Sequence, residues 1–195
     1  MARAGPATLL RVSDDGQTGL MIRAATPADL EGILAIHNAA IAETTAIWDT
    51  EPADLADRRE WLEQRVAAEY PVLVAEIDGR VAGYASYAQW RPKSGYRFCV
   101  ENSVYVGSEF RRRGVARALL TELLALAEKS GAVRVMVALI ESTNTMSIAL
   151  HEQFGFRVTG SMPEVGRKFG RWLDLTIMQI EFPAPAVDRI ESGAE

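Results

Sequence analysis

Apolar and polar positions along the chain recur with two periods, and the switches between them mark out its elements. Ile22-Arg23-Ala24 reads as a short strand. Thr26-Pro27 then starts a helix, with Thr26 as N-cap and Pro27 at the first helical position. Leu30, Ile33, Leu34, Ile36 and Ile41 follow at helical spacing. Thr44 to Pro52 is irregular and carries Trp48. A second helix is predicted from about Ala53 to Glu69, with Leu55, Trp61, Leu62 and Val66 on its buried side.

Strand signals come next. Val72 to Ile77 is apolar and β-branched, Asp78-Gly79 is a two-residue hairpin turn, and Val81 to Ala88 returns as the partner strand. Arg91 to Tyr96, with Pro92 and Gly95, is a loop, and Cys99 to Val106 is a further strand. Gly114 to Ser130 is an amphipathic helix with Ala116, Leu119, Leu120, Leu123 and Ala127 inward, and Gly131 ends it. Val133 to Ile140 is a strand. Asn144 to Phe154 is a helix stopped at Gly155. Phe156 to Met162 and Trp172 to Phe182 are the last strands. Helices interleaved with a mostly antiparallel series of strands predict an α/β (α+β) domain, a mixed sheet flanked by helices. Its expected extent is residues 21–183, between a flexible N-terminal extension over 1–20 and a flexible tail over 184–195.

Composition narrows the function. The chain has 195 residues, enough for one domain with a real core. A net charge of −5 argues against bulk attraction to nucleic acid. No apolar run approaches the roughly 20 residues that span a bilayer, so no membrane partner is expected. One cysteine, Cys99, excludes an internal disulfide and fits a reducing cytoplasm. With His37 and His151 the only histidines, no metal site is expected.

The stretch that bears chemistry is Val104-Tyr105-Val106 followed by Arg111-Arg112-Arg113-Gly114-Val115-Ala116. It is a strand, a turn, then a basic glycine-containing loop that opens a helix. The unpaired N–H groups and partial positive charge of a helix N-terminus, with added arginines, make a diphosphate cradle. A basic surface turn would read the same way. Neither a Gly-x-x-x-x-Gly-Lys-Ser/Thr loop nor a Gly-x-Gly-x-x-Gly turn after the first strand is present.

Arg111, Gly114 and Ala116 resemble the acetyl-CoA loop of the GCN5-related N-acetyltransferase superfamily, Gln/Arg-x-x-Gly-x-Gly/Ala. Asn144, Leu150-His151 and Phe154-Gly155-Phe156 follow in that superfamily's order. Val100 to Val106, Leu150-His151-Glu152 and Lys168 to Asp174 resemble, more narrowly, the phosphinothricin and methionine sulfone/sulfoximine acetyltransferases, as does Asn38…Thr45…Trp48…Glu51-Pro52. The similarity covers about Ile22 to Phe182. It implies acetyl-CoA as co-substrate, a small amine as acceptor, no metal, and a homodimer whose partner chain helps wall the substrate site. The cofactor residues it implies are Val104, Tyr105, Val106, the loop Arg111 to Arg117, and Asn144.

An amine attacks a thioester only when neutral, so a base must take its proton. Glu101 matches the glutamate that serves as base in the resembled family, although a solvated strand-end carboxylate would read alike. A bulge expected near Asn102 to Val104 would free an N–H for the developing oxyanion. His151 stands where many superfamily members carry a tyrosine acid. It suits an acid, a relay member or a packed structural histidine; His37 reads as structural. If extended, Arg97 and Glu101 share a strand face, and Arg97 would clamp a carboxylate or sulfone oxygen. Tyr96, Phe98, Trp48 and Lys168 are the other substrate-site candidates, with Arg91 weaker. Arginine at 97 is the sulfone-type residue, where phosphinothricin-type enzymes carry an acid. Two further readings stand: another amine acceptor, and a non-catalytic acyl-CoA-binding or sensing module.

Overall fold

The computed structural model describes residues 10–11 and 19–184. The extension expected over 1–20 lies outside these residues, apart from 10–11 and 19–20. The tail expected over 184–195 lies outside them, apart from Ala184. The chain divides into two compact units. Of the described residues, one unit comprises those up to Ser86 with Val104–Leu123, the other Tyr87–Ser103 with those from Leu124 to Ala184.

The first unit begins with β1 (Leu10–Arg11) and β2 (Met21–Ala24), which pair antiparallel. A short 3-10 turn, Pro27–Asp29, leads into α1 (Leu30–Glu43). The Thr26 N–H and hydroxyl both donate to Asp29 Oδ2, at 2.7 and 2.9 Å, which ties down the helix entry predicted at Thr26-Pro27. Arg23 holds the same carboxylate at 2.6 and 2.7 Å. After α2 (Leu55–Ala67), β3 (Val72–Ile77) pairs antiparallel with both β2 and β4 (Arg80–Gln89). Asp78 and Gly79 have φ of 52° and 73°, the two positive values that a tight hairpin turn of the right twist requires. The unit also holds the end of β5 (Cys99–Val106) and the first half of α3 (Val115–Ser130).

Packing in this unit explains its composition. Ile33 and Ile36 of α1 meet Val74 and Tyr84, and Leu30 packs on Leu62 and Val72. A Cβ on Gly83 would stand 2.8 Å from the Tyr105 carbonyl oxygen and 3.0 Å from Val115 Cγ1. Glycine there lets β4 lie hard against β5 and the start of α3, the elements that build the cradle. The face expected for α2 is corrected. Leu62 is buried and Trp61 half-buried, but Leu55 and Val66 are exposed because only one turn of this polar helix meets the core. In α3, Val115 and Ala118 are buried beside Leu119, Leu120, Leu123 and Ala127, while Ala116 is half-buried.

In the second unit β5 runs parallel to β6 (Val135–Glu141), with Cys99, Val100 and Glu101 opposite Val135, Met136 and Val137. After α4 (Thr145–Gln153) come β7 (Arg157–Lys168) and β8 (Arg171–Glu181). Strand β8 lies antiparallel between β6 and β7. The mixed, mostly antiparallel sheet with helices matches the expected fold class. Strand β7 runs past its expected end at Met162. A bulge between Met162 and Gly166 takes up Pro163, which has no N–H to give a ladder, and the Glu164 N–H donates to Asp174 Oδ1 at 2.8 Å.

Candidate active site

In the first unit, a 3-10 turn, Ser108–Phe110, links the end of β5 to the loop Arg111–Gly114. Arg112 has φ 62° and Gly114 φ 79°, so the loop turns twice through the left-handed region before α3 starts. Nothing lies within 4 Å of a Cβ built on Gly114, so the backbone angle and not space calls for glycine there. The first intrahelical bond runs from the Ala118 N–H to the Gly114 carbonyl at 3.0 Å. The N–H groups of Val115 and Ala116, one turn earlier, therefore point out of the helix end, unpaired within it. Arg111, Arg112 and Arg113 are exposed around them. This donor set suits a diphosphate. Val104, Tyr105 and Val106 are half-buried on the strand that feeds the loop. The Tyr105 ring lies 5.2 Å from that of Tyr84, and Tyr84 Oη is 2.9 Å from His37 Nδ1. His37 is thus packed as expected, and burial holds its pKa below the usual histidine range. Trp48 is half-buried and donates its Nε1–H to the Thr45 carbonyl at 2.9 Å. Asn38 clamps the same irregular segment by exchanging two 2.9 Å hydrogen bonds with the Ala53 backbone.

The second unit carries Glu101 and His151. Glu101 is half-buried on β5, two residues after Cys99, and its charge adds to burial in raising that thiol's pKa. Next to it, Asn102 turns inward. Its Nδ2 is 3.3 Å from His151 Nε2 and 3.7 Å from Met136 Sδ. His151 Nδ1 is 2.8 Å from the Ser147 carbonyl. A carbonyl only accepts, so Nδ1 bears a proton and donates it. Nε2 of the neutral ring then accepts from Asn102. Burial depresses the His151 pKa, against the Ser147 hydrogen bond, which favours the charged form. Asn144 is the N-cap of α4, its Oδ1 accepting from the Ser147 N–H at 3.2 Å. Among the described residues no cluster of three or more His, Cys, Asp or Glu could hold a metal ion. Among them, too, no helix is long and apolar enough to cross a membrane.

The substrate-site candidates fare differently. Arg97 is not extended: it closes the 3-10 turn Ser94–Tyr96 with φ −56° and ψ −23°. The expected shared strand face with Glu101 therefore does not exist, because helical backbone at 97 ends the alternation before β5 begins. The Arg97 guanidinium instead lies 4.4 Å from the centre of the Phe98 ring. Tyr96 stands edge-on to Trp90, 5.4 Å between ring centres. Lys168 is buried at the end of β7, its Nζ 5.0 Å from the Phe169 ring. The Asn102–His151 contact bridges 49 residues of sequence. No local pattern announces it; the only signal is a polar residue at an inward strand position.

Residues 33–156 match the model of the Acetyltransferase (GNAT) family. The chain is 53% identical over 160 residues to an L-methionine sulfoximine/L-methionine sulfone acetyltransferase of Pseudomonas aeruginosa, covering 82% of this chain and 92% of that protein. Among solved structures it superposes with a TM-score of 0.80 on a ribosomal-protein-alanine N-acetyltransferase of Brucella melitensis, at 50% identity over 82% of this chain and 98% of that one. It superposes equally well, with a TM-score of 0.81 and 48% identity, on the acetyltransferase yncA of Salmonella typhimurium bound to its cofactor acetyl-CoA. That match covers 83% of this chain and 93% of that one.

Proposed function

This chain belongs to the acetyltransferase (GNAT) family, and we propose that it acetylates the α-amino group of a small amino-acid analogue of the methionine sulfone/sulfoximine type, with acetyl-CoA as co-substrate. Phosphinothricin is the next acceptor in line. One observation supports this most directly. A single strand, β5, carries Glu101 at its third residue and leads through the Ser108–Phe110 turn into a loop built to receive a diphosphate. The N–H groups of Val115 and Ala116, with Arg111 and Arg112 around them, would hold the diphosphate, and Arg113 and Arg117 would complete the cofactor loop. Val104, Tyr105, Val106 and Asn144 would line the pantetheine arm.

Acetyl-CoA supplies the activated acetyl thioester. Glu101, directly or through a water, takes the proton of the substrate ammonium. The freed amine forms the C–N bond, the C–S bond breaks, and the departing CoA thiolate takes up the proton that the nitrogen sheds as the amide forms. A strand N–H near Asn102 to Val104 stabilises the oxyanion formed between these events. For His151 the geometry favours the relay over the acid role. The neutral ring accepts at Nε2 and spends its one N–H on Ser147, and burial opposes the charge an acid would need. Arg97 remains the clamp for the substrate's carboxylate or sulfone oxygen, with Tyr96, Phe98, Trp48 and Lys168 shaping the pocket. The reading sets the enzyme in the cytoplasm, where the lone thiol Cys99 stays reduced.

The family likeness further implies a homodimer. The β7–β8 hairpin supports it, with Val158, Met162 and Val165 exposed on one strand, Trp172 on the next and Phe169 in the turn between them. Apolar side chains gathered in this way mark an association surface.

The test is free-thiol release from acetyl-CoA with a panel of amines: methionine sulfone, methionine sulfoximine, phosphinothricin, ordinary amino acids, a polyamine and an alanine-terminated peptide. Fast release with the sulfone or sulfoximine is expected. Release with only the peptide or the polyamine would keep the acetyltransferase and discard this acceptor. Binding of acetyl-CoA without release by any amine would favour a sensing module.

A further inference from the structure

Beside the diphosphate cradle the first unit holds a second group of charges, gathered on one aromatic ring and sharing Arg113 with the cradle loop. Phe110 is buried at the end of the turn before the loop. The Arg80 guanidinium lies 5.1 Å from the centre of its ring and that of Arg113 lies 5.8 Å from it. One buried ring thus fixes two arginines from distant parts of the sequence. Arg80 also makes a two-point pair with Glu109, at 2.5 and 3.1 Å. Among the described residues no carboxylate pairs with Arg113, Arg111 or Arg112. Two like charges held on one ring repel, and a single carboxylate offsets only one of them. The net positive charge left over sits in a chain whose overall charge is −5, so it is local and not a reflection of composition.

We propose that Arg80 and Arg113, seated on Phe110, form a second anion subsite that reads the 3′-phosphate of the CoA adenosine, and that Glu109 tunes it by competing for Arg80. This rests on the reading of the adjoining loop as an acetyl-CoA cradle. A phosphate monoester brings a charge of about −1.5 to −2 and three acceptor oxygens, which suits two guanidiniums better than one. The diphosphate is served by the loop's backbone N–H groups with Arg111 and Arg112, so the side chains of Arg80 and Arg113, turned onto Phe110, remain for a phosphate further along the ligand. Arg80 is more than half exposed and its partner Glu109 likewise, so exchanging the carboxylate for a phosphate needs no burial of new charge.

The experiment is calorimetric titration with CoA and with 3′-dephospho-CoA, read as the ratio of the two Kd values. The wild-type protein is expected to bind CoA about tenfold more tightly, a difference of about 1.4 kcal/mol. Arg80→Gln and Arg113→Gln should each pull the ratio toward one. Glu109→Gln should move it the other way, by about threefold, an increase that loss of packing cannot produce. Equal affinity for the two ligands in the wild type, or a ratio unmoved by all three substitutions, overturns the subsite while leaving the acetyltransferase reading intact. Failure of both ligands to bind overturns that reading, and the subsite with it.

Discussion

Asn102 and His151 meet through Nδ2 and Nε2 at 3.3 Å, and the Ser147 carbonyl behind the ring fixes which nitrogen carries the proton. The contact holds the residue that follows Glu101 against α4, so the orientation of the proposed base depends on an imidazole that stays neutral. Protonating Nε2 would set two donors facing each other and break the contact.

The pH dependence of stability follows from this. Burial lowers the native pKa of His151, and that of His37, where Arg58 adds to the effect while Asp49 and Asp57 oppose it. Unfolded, both titrate near the ordinary 6.5. Below that pH the unfolded chain binds more protons than the native one, so stability rises with pH through this window. It should therefore fall as pH drops from 7.5 through 6.5 toward the lower native values. Urea melts between pH 7.5 and 5.5 measure the slope, and His151→Gln should remove part of it. A slope unchanged in that variant would mean the ring is not held neutral.

Glu101→Gln keeps the size of the side chain and removes its capacity as a base. Loss of a positioned general base costs about 10²- to 10⁴-fold in rate. The expected result is a kcat lower by that factor with little change in the KM for acetyl-CoA, and partial recovery at high pH, where the amine deprotonates unaided. A KM effect without a kcat effect would make Glu101 a binding residue instead.

The exposed hairpin gives a prediction about assembly. Trp172→Lys and Phe169→Ser place polar groups where the end of the hairpin and its turn expose apolar ones. If the hairpin seats a second copy, sedimentation should show a dimer for the wild type and a monomer for the double variant. A wild-type monomer at micromolar concentration would remove the homodimer from the account.

Most of the elements were legible because each has a local cause. Asp78-Gly79 forces a hairpin, and Gly131 and Gly155 stop helices through positive φ. The cradle was legible for the same reason: glycine and arginines stand in a short run before a helix. What escaped depends on distance along the chain. The Asn102–His151 contact, the glycine at 83 and the seat of Arg80 on Phe110 are set by which segments the fold brings together. Arg97 failed differently. Its spacing from Glu101 suited a strand, but the Ser94–Tyr96 turn persists through it and decides its backbone.

Gly83 and Gly114 serve one site by opposite means, and alanine at each should separate the two. At Gly83 a Cβ would meet backbone, the Tyr105 carbonyl oxygen, at 2.8 Å, so β4 and β5 would have to part. Overpacking of this kind costs about 1–3 kcal/mol, so Gly83→Ala should lower Tm clearly. At Gly114 there is open space, but φ is 79° and alanine is strained there by about 1–2 kcal/mol. The loop can relieve that strain by turning its N–H groups away from the diphosphate. Gly114→Ala should therefore leave Tm within a degree or two, since the loop is exposed, while raising the KM for acetyl-CoA several-fold. Thermal melts and initial rates on the two variants check this. A Gly114→Ala protein with an unaltered KM would mean that the left-handed turn does not shape the cradle, and the anion site would then have to rest on the arginine side chains alone.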